Sequence, residues 1–448
     1  MQPFREQAIS QGVGSGFFIK KRGSRALCLT CAHVIRESGA NEVYLVLPSS
    51  ARSRLQAEIV AVTPEFDLAL LAVELGDLSD LVDPLPLAES SSLVRHGSNV
   101  MACGYPLGQS GIKVSKGVVS GFEQGMIQHD SAISPGNSGG PLVSGDEVVG
   151  VNAAGVLFGA QNVGYAVPIV LWNLMEAEAL GPDQEALVGP TTPRVLRSPK
   201  LGLCMHDNTS AEGADGVFAR FVARDGPLHD KVQVGELIRS ITWEGASQDY
   251  PIDARGEVDL GGVQRAPVEV LIRSIPWDAE VTLGVGPENR KVTVMRQDCE
   301  RGALRTPWPP IEPLNYLLAL GACFVEVHGG FKNSPEALPT LIGLGTRERL
   351  QDDHVMISYV WPIEATKGLA TPFGQGVMKP GVLVESLQID DRIVPVQKLG
   401  DLRDALRSDF QWIQVVVKGG SRFPIRKDQI PQLEVETKAR DSIYDPGY

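Results

Sequence analysis

The segment Ser134-Pro-Gly-Asn-Ser-Gly-Gly-Pro141 contains the residue best suited to nucleophilic chemistry, Ser138. Glycines around a serine allow backbone N–H groups to point at one spot and allow a substrate backbone to approach closely. Serine is a weak nucleophile until a base removes its proton and an acid holds that base in one tautomer. The segment therefore predicts acyl-transfer chemistry that needs a histidine and a carboxylate from elsewhere in the chain.

Two residues upstream of the serine stand in suitable contexts. His33 lies in Leu29-Thr-Cys-Ala-His-Val34, at the end of a predicted strand and in an apolar setting. Asp67 directly precedes the apolar run Leu68–Val73. Taken alone, His33 could be a core histidine and Asp67 a turn residue. The order His33, Asp67, Ser138 is that of chymotrypsin-like proteases, and the three contexts together are specific.

The same serine also matches the G-x-S-x-G pattern of an α/β-hydrolase. That pattern requires a helix directly after the serine and the chain order serine, acid, histidine. Here Pro141 and the strand-like pair Leu142-Val143 follow, and both candidate partners precede the serine. The α/β-hydrolase interpretation is therefore excluded.

In the first 180 residues, apolar runs of strand length alternate with Gly, Pro, Ser and Asp. We therefore expect short strands to position His33, Asp67 and Ser138. This pattern is typical of a β-barrel or sandwich. The runs are Gly16–Ile19, Ala26–Thr30, Val43–Leu47, Leu68–Val73 and Val148–Val151. A helix is predicted over Val170–Ala179.

Segments rich in Pro and Gly divide the remainder of the chain. The predicted order is a trypsin-like domain over 1–180, a linker over 181–199, a unit over 200–303, a linker over 304–313, a unit over 314–432 and a tail over 433–448. The two later units mix strands with short helices. Each ends with a helix and a final pair of strands, which predicts two diverged copies of one plan.

Composition excludes several classes of protein. At roughly 150 residues per domain, 448 residues suggest about three domains. The net charge of −13 is spread evenly, so no unit is a basic nucleic-acid binder. No apolar run is long enough to span a bilayer, and the N-terminus lacks the apolar region of a secretory signal. Six cysteines are sparse, and we expect Cys28 and Cys31 to be packed thiols.

The first 180 residues resemble the protease domain of the HtrA/Deg (DegP-like) serine proteases. The matching stretches are Gly14–Phe17, Leu29–Val34, Phe66–Leu71, Gly104–Gly108, Ser115–Ser120, Asp130–Pro141 and Gly164–Pro168. The two later units resemble the tandem, divergent PDZ domains of this family, most closely those of the plant-type Deg proteases. The resemblance implies a mostly β fold, a chymotrypsin-like double β-barrel followed by two PDZ-like α+β domains.

The resemblance also assigns roles to the catalytic residues. His33 would be the general base, Asp67 the acid that orients it and Ser138 the nucleophile. The backbone N–H groups of Gly136 and Ser138 would form the oxyanion hole.

Two further groups of residues would bind substrate. The primary specificity pocket would involve Ala132, Val151, Asn152 and Ala153. Ala132 stands where a trypsin-like enzyme has Asp, so we expect small or medium apolar side chains rather than Lys or Arg. A peptide C-terminus would bind at Lys200, Leu201, Gly202 and Leu203 by strand addition.

The sequence departs from the family in four places. Only about a dozen residues precede Gly14, so the first barrel strand is expected to be short or absent. The connection from Phe122 to Ile127 is brief, which puts the family's sensor loop in doubt. His129 replaces a usual Thr, and Ser134 replaces a usual Asn. We expect His129 to be a loop residue near the site.

These observations predict an ATP-independent serine endopeptidase that cleaves unfolded or damaged proteins. The alternative is a catalytically silent PDZ scaffold, or a chaperone-like binding protein, with a vestigial or latent protease fold. No metal or other cofactor is implied. The expected partners are unfolded protein or peptide substrates and further copies of the chain, as a trimer or a multiple of trimers. The expected location is the cytoplasm, with the nucleus, or a plastid after removal of a transit peptide, as alternatives.

Overall fold

The computed structural model describes most of the chain. The described residues are 12–36, 43–47, 54–89, 94–109, 111–123, 125–155, 163–181, 193–208, 215–259, 265–299, 304–305, 307–308, 311–312, 314–329, 331, 337–345, 347–360 and 380–432. Most of the predicted first linker (182–192), parts of the second and the whole predicted tail (433–448) lie outside these residues. The chain divides into two compact units after Cys299. This division does not separate 1–180 from 200–303, so our finer domain boundaries stay a prediction.

The described elements are mostly strands. The strands are β1 Phe17–Arg22, β2 Arg25–Cys31, β3 Val43–Val46, β4 Arg54–Thr63, β5 Leu68–Glu74, β6 Asn99–Gly104, β7 Lys113–Glu123, β8 Met126–His129, β9 Pro141–Ser144, β10 Glu147–Gly155, β11 Gly164–Pro168, β12 Arg194–Val195, β13 Leu203–His206, β14 Val217–Val222, β15 Leu237–Trp243, β16 Tyr250–Pro251, β17 Glu257–Asp259, β18 Arg265–Pro267, β19 Glu280–Val285, β20 Arg290–Met295, β21 Tyr316–Ala319, β22 Ala322–Glu326, β23 Val355–Val360, β24 Val382–Ile389, β25 Arg392–Pro395, β26 Trp412–Val417 and β27 Arg422–Arg426. The helices are α1 Ala32–Arg36, α2 Ile169–Leu180, α3 Val268–Ser274, α4 Leu338–Leu344, α5 Arg347–Gln351 and α6 Leu399–Arg407. No described helix is long and apolar enough to cross a membrane.

Two β-structures form the first 180 residues, as expected for a trypsin-like fold. The strands β6 to β11 close into a six-stranded barrel in the order β10-β11-β8-β7-β6-β9. The strands β1 to β5, with β12, form a six-stranded sheet whose described part is not a closed ring. One hydrophobic core packs both, and Trp172 of α2 is fully buried within it. The start of β5 pairs with the ends of β2 and β4. His33 follows the end of β2 and Asp67 precedes the start of β5, so the two residues lie close together.

Part of the predicted first linker adds a strand to the first sheet. The strand β12 pairs in parallel with β4, with Arg194 opposite Ala61 and Val195 opposite Val62. The N–H of Leu196 then donates to the carbonyl of Val62 at 2.8 Å. Residues 194–196 of the predicted linker therefore belong to the first sheet.

The two later sheets share one strand order. One runs β13-β14-β15-β19-β20 with β16 paired to β15. The other runs β22-β23-β24-β26-β27 after an added β21, with β25 paired to β24. In each, a helix (α3 or α6) precedes the last two strands. The two sheets thus repeat one strand order, and each has its own buried hydrophobic core.

Candidate active site

His33 and Asp67 are in direct contact. The Nδ1 atom of His33 lies 2.6 Å from Oδ2 of Asp67, and the backbone N–H of His33 donates to Oδ1 of the same carboxylate at 2.8 Å. The carbonyl of Asp67 accepts the N–H of Ala32 at 3.0 Å. With a carboxylate at Nδ1, that nitrogen carries the proton, which leaves Nε2 as the basic nitrogen. This is the tautomer that a general base requires.

The surroundings of His33 differ from our prediction. We placed it at a strand end in an apolar setting, but it lies in the helix α1, directly after β2, with 46% of its side chain exposed. Ala32 and Ile35 form the buried face of this short helix, so the histidine at the next position turns toward solvent. An exposed imidazole beside a carboxylate is accessible to a substrate, whereas a core histidine is not.

The loop that contains Ser138 packs on the segment that leads to His33. The N–H of Ser15 donates to the carbonyl of Ser138 at 2.8 Å. A Cβ atom at Gly139 would lie 3.0 Å from the backbone nitrogen of Cys31, so only glycine permits this approach. The carbonyl of Asn152 accepts both the N–H of Gly139, at 2.7 Å, and the thiol of Cys31, at 3.3 Å. These contacts join the serine loop to both halves of the fold.

The hydroxyl of Ser138 points to a backbone carbonyl. Its Oγ donates to the carbonyl of Ala153 at 2.9 Å, and among the described residues it makes no hydrogen bond to His33. Catalytic hydrogen bonds in unliganded proteases are often absent and form only with substrate. Attack on a substrate therefore requires rotation of this hydroxyl toward Nε2 of His33.

Hydrogen bonds fix the peptide groups on either side of Gly136. The carbonyl of Pro135 accepts the N–H of Leu107 at 2.7 Å. Because the C=O and N–H of a trans peptide point in opposite directions, the N–H of Gly136 is directed away from Leu107. The carbonyl of Gly136 in turn accepts the hydroxyl of Ser15 at 2.7 Å.

The same arrangement orients the N–H of Ser138. The carbonyl of Asn137 accepts the N–H of Gly140 at 3.0 Å, so the N–H of Ser138, in the same peptide group, points the opposite way. Within the described part of the chain, neither this N–H nor that of Gly136 donates to a protein acceptor. Two backbone N–H groups with fixed orientations and no protein acceptor could stabilise the negative charge that develops on an oxyanion.

The residues predicted to form the specificity pocket have different surroundings. Ala132 is exposed, and its carbonyl accepts the hydroxyl of Ser115 at 2.8 Å. Val151 and Asn152 are fully buried, backbone included, so neither residue is exposed to a substrate in this structure. Ala153 is also buried, with its carbonyl directed at Ser138. These four positions carry no charged side chain.

Cys31, His33 and Asp67 place a thiol, an imidazole and a carboxylate within 4.8 Å of one another. Burial, with the nearby charge of Asp67, raises the pKa of the Cys31 thiol well above its usual value. The thiol donates to the carbonyl of Asn152, and Nδ1 of His33 faces Asp67, so two of these groups already have partners within the protein. Cys28 is also a buried free thiol, and burial raises its pKa to about 12.

His129 is a buried strand residue rather than the loop residue we expected. It ends β8, where it pairs with Val119 of β7 and Gly164 of β11. A Cβ atom at Gly164 would lie 2.6 Å from its imidazole ring, so the ring packs directly on that glycine. The side chain is fully buried and, in the described structure, neither ring nitrogen has a hydrogen-bond partner. Burial lowers its pKa to about 4, against a smaller opposite effect of Asp130.

Acid should therefore destabilise the fold through His129. The unfolded chain takes up a proton near pH 6.5 and the folded protein only near pH 4, so the unfolded state binds more protons between these values. Stability present above pH 6.5 is lost as the pH falls through this window, by about 3 kcal/mol in total. We expect His129→Leu to remove this loss when urea unfolding is compared at pH 7 and pH 4.5.

The comparison with the variant isolates His129 from other groups. Burial lowers the pKa of His328, in the second compact unit, to about 4 as well, so the wild type alone is not diagnostic. Equal pH dependence in the wild type and His129→Leu would contradict the prediction.

The predicted peptide-binding loop is only partly as expected. The strand begins at Leu203 rather than Leu201, because Gly202 adopts φ +67°, which is not an extended conformation, and Leu201 before it is buried. The strand β13 is at the edge of its sheet, which leaves one side available for strand addition. The ammonium of Lys200 contacts Glu65 at 2.9 Å, so it is not simply solvated.

Comparisons with known proteins find similarity to serine proteases. Residues 14–151 match the trypsin-like peptidase domain. Putative protease Do-like 13 of Arabidopsis thaliana is 34% identical over 177 residues, which are 37% of this chain and 34% of the relative. A probable periplasmic serine endoprotease DegP-like of Pseudomonas putida (strain GB-1) is 38% identical over 303 residues, 63% of this chain and 58% of the relative.

The similarity to solved structures is lower. The HtrA-type protease AlgW with a tripeptide is 23% identical, with a TM-score of 0.46, over 65% of this chain and 90% of that one. The chain spans between about a third and three fifths of the length of the two curated relatives above.

Proposed function

We propose that the chain is an ATP-independent serine endopeptidase of the HtrA/Deg type that cleaves unfolded or damaged proteins. The trypsin-like peptidase match over residues 14–151 and the similarity to Do-like and DegP-like proteases support the proposal. The observation that carries the proposal is the His33–Asp67 pair beside a serine loop with two fixed N–H donors.

The proposed reaction follows from this geometry. Nε2 of His33 takes the hydroxyl proton of Ser138 as Oγ adds to the scissile carbonyl carbon. The resulting oxyanion accepts hydrogen bonds from the backbone N–H groups of Gly136 and Ser138. The C–N bond then breaks, and the leaving amine takes the proton from His33. Water, activated by the same base, hydrolyses the acyl-enzyme to a carboxylic acid and restores Ser138. Asp67 stabilises the imidazolium through both steps.

The specificity we propose is for small or medium apolar side chains at the position before the cleaved bond. Ala132 supplies no charge to pair with Lys or Arg, and Ile133 beside it is apolar. We propose that the open edge of β13 binds an extended peptide, with backbone N–H groups near Leu201–Leu203 holding its carboxylate. The charge of Lys200 is excluded from this role by its contact with Glu65.

The assembly and location remain part of the proposal. We propose a homo-oligomer, a trimer or a multiple of trimers, as in HtrA relatives, which sedimentation would detect. Related proteins carry the words mitochondrial or periplasmic in their names. For this chain we retain a cytoplasmic location, which fractionation of its source cells would test.

The experiment that tests the function compares unfolded casein with a stably folded protein as substrate, without ATP and with EDTA present. We expect casein to be cleaved and the folded protein to survive. Mass spectrometry of the products should place small or medium apolar residues before the cleaved bonds. Cleavage after Lys or Arg would contradict the proposed specificity, and intact casein would contradict the function.

A further inference from the structure

The acid Asp67 is presented by a tight turn, 64–67, between β4 and β5. Its backbone adopts φ +55°, a left-handed conformation that few residues other than glycine populate. This conformation lets one residue accept three hydrogen bonds, one at its carbonyl from Ala32 and two at its carboxylate from His33. The orientation of the catalytic pair therefore depends on the shape of this turn.

Glu65, two residues before Asp67, is bound at both carboxylate oxygens. The hydroxyl of Ser198 donates to Oε2, and the ammonium of Lys200 donates to Oε1 at 2.9 Å. Only 19% of the Glu65 side chain and 30% of the Lys200 side chain are exposed. A pair this well covered is less screened by solvent than a surface ion pair. We call Glu65, Ser198 and Lys200 the Glu65 clamp.

The partners of Glu65 come from a segment fixed at both ends. On one side, β12 pairs with β4, and Leu196 is buried. On the other side, Lys200 and Gln297 exchange two backbone hydrogen bonds, of 2.9 and 3.0 Å. Lys200 is thus tied by its backbone to the end of the β13–β20 sheet and by its side chain to the catalytic turn.

We propose that the Glu65 clamp is a positioning device for Asp67, which holds the turn 64–67 in the conformation that orients the catalytic pair. The inference rests on the proposed function, since it concerns the same site. Glu65, Ser198 and Lys200 are positioning residues and make no contact with substrate. Loss of the clamp should release the turn, weaken the hydrogen bonds between Asp67 and His33, and slow the chemical step.

The test uses the full chain with Glu65→Gln, Ser198→Ala and Lys200→Met. Glu58→Gln is the matched control, because Glu58 also pairs with a cation, Arg25, at 2.7 Å, but lies within β4 rather than in the turn. Hydrogen–deuterium exchange, read by mass spectrometry over residues 29–36, reports on the amides of Ala32 and His33 that donate to Asp67. Residues 147–155 serve as the internal reference for general loosening.

The proposal predicts that exchange over 29–36 becomes about tenfold faster in Lys200→Met, with 147–155 and the Glu58→Gln control unchanged. It also predicts that kcat for a short peptide falls about tenfold with KM unchanged, because a small misplacement of a catalytic group is costly. Lys200→Arg, which keeps the charge, should restore most of both properties.

The exchange measurement does not need an active enzyme, so it decides the clamp even if the proposed function fails. Wild-type protein that cleaves nothing would overturn the function alone. Unchanged exchange over 29–36 in both Glu65→Gln and Lys200→Met, or equal acceleration over 147–155, would overturn the clamp. Ser198→Ala provides a milder change should the charge variants fold poorly.

Discussion

Ser138→Ala is expected to lower kcat/KM for an unfolded substrate by at least about 10⁴-fold, since the nucleophile is lost while binding remains. The loss should be larger than for any variant that only weakens activation of the serine. The fold should persist, because within the described residues the hydroxyl makes one hydrogen bond, to the carbonyl of Ala153. Casein cleavage and hydrolysis of a short fluorogenic peptide measure the effect, and the thermal midpoint monitors folding.

Ser131→Ala is the matched control for this variant. Ser131 lies in the same loop, is buried, and its hydroxyl has no hydrogen-bond partner among the described residues. Its removal should leave the rate within a small factor of the wild type. If Ser138→Ala retained full activity, another nucleophile or a contaminating protease would be responsible and the assignment would be wrong.

Gly136→Ala is expected to reduce kcat by about 100- to 1000-fold, the usual cost of losing one oxyanion donor. Gly136 adopts φ +101°, which a residue with a side chain rarely adopts. An added Cβ would lie 2.5 Å from the carbonyl oxygen of Tyr105 and 2.9 Å from the nitrogen of Leu107. The peptide group must therefore turn, and its N–H would no longer point into the hole.

Gly145→Ala separates this effect from the strain of a left-handed backbone. Gly145 also has a positive φ, +61°, but an added Cβ there meets no atom within 4 Å. It lies in the turn between β9 and β10, away from the serine, and should cost about 1 kcal/mol of stability without loss of kcat. Steady-state kinetics and urea unfolding of both variants test the contrast. Equal kcat in Gly136→Ala and the wild type would remove Gly136 from the oxyanion hole.

Local patterns were enough to predict the strands and the main helix. The apolar runs Ala26–Thr30 and Leu68–Val73 lie within β2 and β5, and the stretch Val170–Ala179 lies within α2. Length and flanking residues separate such elements, because a short apolar run bounded by turn residues favours a strand and a longer one favours a helix. The helix α1 was missed because its five residues are too few to show a period.

Features that depend on distant contacts were not accessible from the sequence. The burial of His129 results from pairing with β7 and β11, whereas its polar neighbours in sequence suggested a loop. The strand β12 has two residues and forms only because the edge of β4 is available. The contact of Lys200 with Glu65 joins residues 135 positions apart, and no local signal predicts it.

The most direct test of the central claim is reaction of the folded wild-type protein with a fluorophosphonate, followed by digestion and mass spectrometry to locate the adduct. Only a serine activated by a base and an oxyanion hole reacts rapidly with this reagent. The account predicts a single adduct, on Ser138, that does not form when the protein is first unfolded in urea. An adduct on another residue, or none on the folded protein, would contradict it.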